Sequence, residues 1–205
     1  MKVIRVLLTA LLIELGLTIL TYRYDSDTVC SIPGHHLLGY PAPQGESEKQ
    51  AGMKQALVEK TIAILESYNE MNDAKRAILP SVVDSAVRYS ETHKLDPELV
   101  LAVIFAESRF VPDVVSSAGA KGLMQVLNPD FDHLPDEVLF DIDRNIEMGV
   151  IELAGYFEKL GSVMKALYRY NGMKMKTYPK SVQISKESYF YAIQVMDIYY
   201  DYKNG

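Results

Sequence analysis

Asp96-Pro97-Glu98-Leu99-Val100-Leu101-Ala102-Val103-Ile104-Phe105-Ala106-Glu107-Ser108-Arg109-Phe110 is the stretch on which the fold turns. Asp96 carries the short acceptor side chain that caps a helix start. Pro97 suits the first helical position, and Glu98 favours the positive end of the helix. Every residue from Leu99 to Ala106 is non-polar. A helix that is apolar nearly all round has to be buried. Glu107 then ends the run. Ionising a carboxyl at the end of a buried helix costs free energy, so its pKa is expected to rise. A carboxyl that keeps its proton in a half-dry cleft is what glycosidic bond cleavage needs, because the leaving oxygen must receive a proton. The plainer alternative is a surface Glu107 paired with Arg109 or Lys121.

Outward from this helix the periodicity stays helical. From about Glu46 to Leu79, Met53, Leu57, Ile62, Leu65, Tyr68 and Met71 recur at helical intervals. Pro80 ends that helix or opens the next, which runs to about His93. Its apolar side is Val82, Val83, Ala86, Val87 and Tyr89. Gly119 and Gly122 mark a loop. Asp136 to Leu160 is amphipathic through Val138, Ile142, Ile146, Gly149, Val150, Leu153, Phe157 and Leu160, and Gly161 caps its end. Val163 to Tyr170 is a short helix, Lys174 to Ser185 a loop, and Glu187 to Tyr200 a closing helix rich in Tyr. Strand alternation never persists, so the expected class is all-α.

Composition narrows the function. Of 205 residues, 48% are hydrophobic and 23% charged, which fits a globular chain and not a multispan membrane protein. Lys plus Arg is 21 against 27 for Asp plus Glu, a net charge of -6 with no basic block, so no nucleic-acid partner is expected. Cys30 is alone, which excludes an intramolecular disulfide and a thiolate metal cage. His35-His36, His93 and His133 lack metal-ligand spacing. The acidic stretch Asp130, Asp132, Asp136, Asp141 and Asp143 lacks the Gly and closing Glu of a calcium loop. No metal and no cofactor are expected.

The chain opens with Lys2 and Arg5 before an apolar run from Val6 to Leu20, interrupted by Glu14. As a helix that run is about 22 Å long, short for a membrane span and suited to a signal sequence. Residues 1–22 are therefore expected to be a signal peptide or an inner-membrane anchor, contact with the membrane falling on residues 1–20. The positive flank places the N-terminus in the cytoplasm and sends the chain beyond Leu20 to the periplasm or cell envelope. Val29 before Cys30 argues against lipidation. Residues 23–45, with Pro33, Gly34, Gly39, Pro41, Pro43 and Gly45, are expected to be a linker. Residues 46–79 form a helical extension that either docks on the adjoining domain or holds a protein partner.

Glu107-Ser108-Arg109-Phe110, then Ser116-Ser117-Ala118-Gly119-Ala120-Lys121-Gly122-Leu123-Met124-Gln125, then Asn145-Ile146-x-x-Gly149 and Tyr170-Asn171-Gly172 stand in the order and spacing of one family. So does the closing Glu187-Ser188-x-x-Tyr191 segment. The chain from about Pro80 to Tyr200 resembles the lytic transglycosylases of the soluble-transglycosylase (SLT) type. Arg169 stands where that family usually has Ala, and Gly172-Met173-Lys174 where it has Ala-Gly-Pro. Both departures bear on one cleft wall, not on the acid.

The resemblance implies a lysozyme-like, mainly helical catalytic domain over residues 80–205. It also implies peptidoglycan glycan strands as substrate. Glu107 is the implied single acid and base, cleaving the MurNAc-GlcNAc β-1,4 bond and leaving a 1,6-anhydroMurNAc end, so the enzyme would be a lyase. Ser116, Met124, Gln125, Tyr170 and Asn171 match family positions that line the cleft. Leu123 is core, and Tyr191 and Tyr199 either belong to the site or pack the last helix. Two alternatives stay open. One is a catalytically impaired glycan-binding module. The other is a hydrolysing muramidase, which needs a second carboxylate; Asp113 and Asp130 to Asp136 are its nearest candidates in sequence.

Overall fold

A computed structural model describes residues 48–127, 134–172 and 184–205. The signal or anchor segment 1–22, the linker 23–45, most of the 174–185 loop, and Asp130, Asp132 and His133 lie outside the described residues. Seven helices are described: α1 Glu48–Ser67, α2 Asp73–His93, α3 Pro97–Ser108, α4 Asp136–Leu139, α5 Ile142–Leu160, α6 Val163–Tyr170 and α7 Lys186–Asn204. Among the described residues the only extended pairings are two isolated antiparallel bridges, Val115 with Lys121 and Lys121 with Val126. The all-α class expected from periodicity is the class observed.

The apolar helix α3 sits at the centre. Val100 through Phe105 are fully shielded from solvent, and α3 packs on α2 and α7. Its start is built as its sequence dictates: Asp96 accepts the Glu98 backbone N–H at 3.2 Å and Pro97 opens the first turn. Burial of each such Leu, Ile or Val stabilises the fold by roughly 1.5–3 kcal/mol. A second pin joins α3 to α7, where Asp96 accepts the Tyr199 hydroxyl at 2.9 Å and pairs with Lys203 at 2.7 Å. Tyr199 thus fastens the helix start.

Two helix boundaries differ from expectation. The break expected at Pro80 falls at Tyr68–Asn72, and Pro80 lies inside α2. Asn69 adopts the left-handed conformation, φ 58°, and Asn72 caps α2 by accepting from Lys75 N at 2.9 Å. Asn is the non-glycine residue best suited to both tasks. The helix continues through Pro80 because Leu79, Val82, Val83, Ala86 and Val87 are all buried on one core. Packing outweighs the lost backbone hydrogen bond. The amphipathic segment expected as one helix from Asp136 to Leu160 is split at Phe140. Asp141 caps α5 through Arg144 N at 2.9 Å, and the released Leu139 carbonyl accepts Asn145 Nδ2 at 2.6 Å.

Helix α1 docks on this core. Leu57, Ile64 and Leu65 are buried in it, and α1 packs on α2 and α7. The buried Thr61 and Tyr202 hydroxyls share a hydrogen bond of 2.9 Å, and Lys60 Nζ donates to the Tyr202 carbonyl at 2.7 Å. Within the expected 46–79 extension, α1 therefore lies docked on the core of the following helices. Among the described residues no helix is long and apolar enough to cross a membrane.

Candidate active site

Glu107 is the penultimate residue of α3. The chain turns sharply behind it: Arg109 and Phe110 both take positive φ, 53° and 61°. Two adjacent non-glycine residues in that region carry strain that surrounding contacts must hold. Arg109 supplies them. Its Nη1 donates to the Phe105 carbonyl at 2.8 Å and its guanidinium lies 4.3 Å from the Phe105 ring centroid. With its amide oxygen facing the guanidinium, Gln194 of α7 accepts from Arg109 Nη2 at 2.7 Å. Phe110 is fully buried beneath.

Glu107 is thus not the surface ion pair of the plainer alternative. Arg109 is turned to the helix end, and Lys121 pairs with Asp136. The Glu107 carboxylate instead meets Tyr191, whose hydroxyl donates to Oε1 at 2.6 Å. Burial pushes the Glu107 carboxyl up to about 7; the Tyr191 hydrogen bond opposes that rise and the charge of Glu152 adds to it. A carboxyl poised there holds a proton near neutral pH and can take it back after giving it up.

The Gly122–Gln125 turn is held from below by α5. Asn145 is buried and satisfied on three sides. Its Oδ1 accepts Met124 N at 2.8 Å, and its Nδ2 donates to the carbonyls of Lys121 at 2.9 Å and Leu139 at 2.6 Å. Gly122 has φ 78°, and a Cβ there would lie 2.2 Å from Asn145 Nδ2. A Cβ on Gly149 would lie 2.6 Å from Met124 Cβ and Sδ. Both positions therefore need glycine, one for conformation and space, the other for close approach.

The expected cleft residues divide by what their side chains do. Met124 is fully buried, so its side chain is core; what it offers is its carbonyl, which accepts the Tyr170 hydroxyl at 2.8 Å. Ser116 Oγ accepts Ala120 N at 3.0 Å, bracing its own turn. Gln125, at φ 48°, donates Nε2 to the carbonyls of Val114 at 3.1 Å and Gly122 at 3.0 Å. Tyr170 is held far above the ordinary phenol range by burial and by the nearby charges of Glu152 and Glu107. It is therefore a neutral donor. Asn171 caps α6, and its buried Oδ1 has no hydrogen-bond partner among the described residues. A buried acceptor without a donor costs free energy unless something supplies one.

Sequence patterning missed Glu152 and Tyr156. Tyr156 of α5 donates its hydroxyl to Glu152 Oε1 at 2.6 Å. The available signal was their spacing from Asn145 and Gly149 on one helical face. Of the acidic candidates for a second carboxylate, Asp136 is taken up by Lys121 and Asp113 is exposed. Among the described residues no group of three His, Cys, Asp or Glu could hold a metal ion.

The sequence model of the transglycosylase SLT domain matches residues 84–189, just over half of the chain. This chain belongs to the transglycosylase SLT family. The match spans Glu107, the Gly122–Gln125 turn, Asn145 and Tyr170. A transglycosylase of Enterobacteria phage PRD1 is 34% identical over 101 residues, covering 45% of this chain and 38% of that one. The membrane-bound lytic murein transglycosylase C of Actinobacillus pleuropneumoniae serotype 5b (strain L20) is 37% identical over 90 residues, 38% of this chain and 24% of that one. The X polypeptide of Escherichia coli is 30% identical over 123 residues, 55% of this chain and 70% of that one. A solved structure of an inactive variant of lytic transglycosylase Slt from Pseudomonas aeruginosa matches with a TM-score of 0.42 and 18% identity, covering 70% of this chain and 28% of that one. This SLT chain spans less than two-fifths of the length of the first curated relatives it matches.

Proposed function

We propose that this SLT-family chain is a peptidoglycan lytic transglycosylase that cleaves the MurNAc-GlcNAc β-1,4 bond and leaves 1,6-anhydroMurNAc ends. The observation that carries this is the Glu107 carboxyl, largely buried at the end of an apolar helix, raised to about 7 and addressed by one phenol. In the first step its proton goes to the glycosidic oxygen as the bond from the muramic C1 breaks. The muramic acetamido oxygen supports the positive C1, a substrate-assisted route. In the second step the Glu107 carboxylate takes the proton from the muramic C6 hydroxyl, and O6 bonds to C1. The carboxyl is protonated again and no water is consumed. Tyr191 holds one carboxylate oxygen throughout and leaves the other for the proton.

Glu107 is the catalytic residue in this scheme. Tyr170 keeps the turn at Met124 in place, and the lone acceptor of Asn171 suits an acetamido N–H of the glycan. Ser116 and Gln125 serve by bracing the loop, leaving the Gln125 amide oxygen for substrate. Several curated relatives carry names of membrane-bound lytic murein transglycosylases. That supports an envelope location, with export and inner-membrane anchoring through residues 1–20 as part of the same proposal.

Digestion of purified sacculi with mass analysis of the released sugars tests it. Anhydromuramic ends are expected. Reducing muramic ends would make the chain a hydrolase, with Glu152 the carboxylate to examine as the base for water. No release by a folded protein that still binds glycan would leave a binding module.

A further inference from the structure

Asn145, Gly149, Glu152 and Tyr156 succeed one another along α5 at intervals of four, three and four residues, so they share one face of the helix. The first two support the Gly122–Gln125 turn from beneath, Asn145 through Met124 N and Gly149 against the Met124 side chain. Glu152 stands about one turn further along that face, and Tyr156 about one turn beyond it. The Tyr156 hydroxyl donates to Glu152 Oε1 at 2.6 Å. Its ring meets Tyr170 edge-on, centroids 6.5 Å apart, and Tyr170 donates to the Met124 carbonyl. The Arg169 guanidinium lies 5.0 Å from the Tyr156 ring centroid. Glu152 is therefore tied into the cluster that supports the turn and not into a solvated helix face.

We propose that Glu152, fixed by Tyr156, is a second carboxylate of the active site and acts on the reaction as a positioning residue through its charge on Glu107. The inference rests on the reaction proposed above. Three elements bring titratable groups to Glu107: α7 brings Tyr191, α6 brings Tyr170, and α5 brings Glu152. Tyr191 favours the ionised form by donating to it. Glu152 does the reverse, since two nearby carboxylates cannot both ionise cheaply. That repulsion serves both halves of the reaction. It keeps the proton on Glu107 before the bond breaks. Once the proton has gone to the leaving oxygen, it strengthens Glu107 as the base that takes the proton from the C6 hydroxyl.

The test is a titration of the Glu107 carboxyl in the full chain, by NMR of carboxyl-labelled Glu with Glu107→Gln as the assignment control. Glu152→Gln keeps the size of the side chain and an acceptor for Tyr156 but removes the charge. It should lower the Glu107 midpoint by about half to one pH unit. The high-pH limb of the rate profile on purified sacculi should move down by the same amount. Glu152→Asp, which keeps the charge, should recover most of the native midpoint. Tyr156→Phe should shift it in the same direction as Glu152→Gln, by less. An unmoved Glu107 midpoint in folded Glu152→Gln overturns the proposal. So does a loss of rate that is equal at every pH, which marks a merely structural residue. Because the titration needs no substrate, a native protein that cleaves no glycan defeats the proposed reaction without deciding the coupling.

Discussion

Replacing Glu107 by Gln should make the protein more stable at alkaline pH and leave its stability unchanged in acid. The folded chain holds the Glu107 proton near pH 7, against an ordinary carboxyl value of 4.5. A group whose pKa rises on folding favours the folded state only while it is protonated. Below about pH 4.5 both states carry the proton and nothing is lost. Between that pH and about 7 the unfolded chain binds fewer protons than the folded one, so stability falls as pH rises. Each pKa unit is worth about 1.36 kcal/mol, so the full penalty above pH 7 is about 3 kcal/mol. Gln has no proton to lose, keeps an oxygen for the Tyr191 hydroxyl, and nearly matches Glu in volume. Urea unfolding followed by far-UV circular dichroism at pH 4 and pH 8.5 reads the effect, because titrations away from Glu107 are common to both proteins and cancel in the difference. The variant should match the native protein at pH 4 and exceed it by about 3 kcal/mol at pH 8.5. A stability difference that is the same at both pH values would show that Glu107 ionises as easily folded as unfolded, and the argument from burial would fail.

The native rate on sacculi should fall as pH rises through about 7, since the protonated Glu107 begins the reaction, and Glu107→Gln should lose on the order of 10²–10⁴-fold. Asn145→Ala strands Met124 N and the carbonyls of Lys121 and Leu139; a drop in thermal stability equivalent to roughly 3 kcal/mol or more is expected by calorimetry, together with loss of cleavage. Tyr170→Phe and Gln125→Ala each remove contacts that fix the turn and should slow cleavage while the circular dichroism spectrum stays native; unchanged turnover in both would show that the turn needs neither brace. A chain starting at Glu46 should fold and cleave glycan, whereas one starting at Asp73 loses Leu57, Ile64 and Leu65 from the core and should melt far lower or aggregate.

Helix α3 was fully legible in the sequence. Its cap, its apolar run and the carboxyl at its end are local facts, and such a helix is buried whatever surrounds it. The class of the fold, the Gly161 stop and the short helix Val163–Tyr170 were legible for the same reason. The all-apolar run also raised the expectation of an elevated Glu107 carboxyl beside the alternative of a surface ion pair, and burial is the largest influence that lifts it in the structure. What periodicity could not show was which side chains from distant segments would meet. The break at Tyr68–Asn72 rests on two Asn residues whose roles as a left-handed turn and as a cap depend on the docking of α1. Met124 belongs to the core and Asn145 underpins the turn only because α5 runs beneath the Gly122–Gln125 segment. Glu152 looks like one more surface acid in the sequence. Its tie to Tyr156 follows the four-residue spacing along α5, but only the tertiary structure brings its charge to Glu107, because an electrostatic partnership between distant segments depends on distance in space.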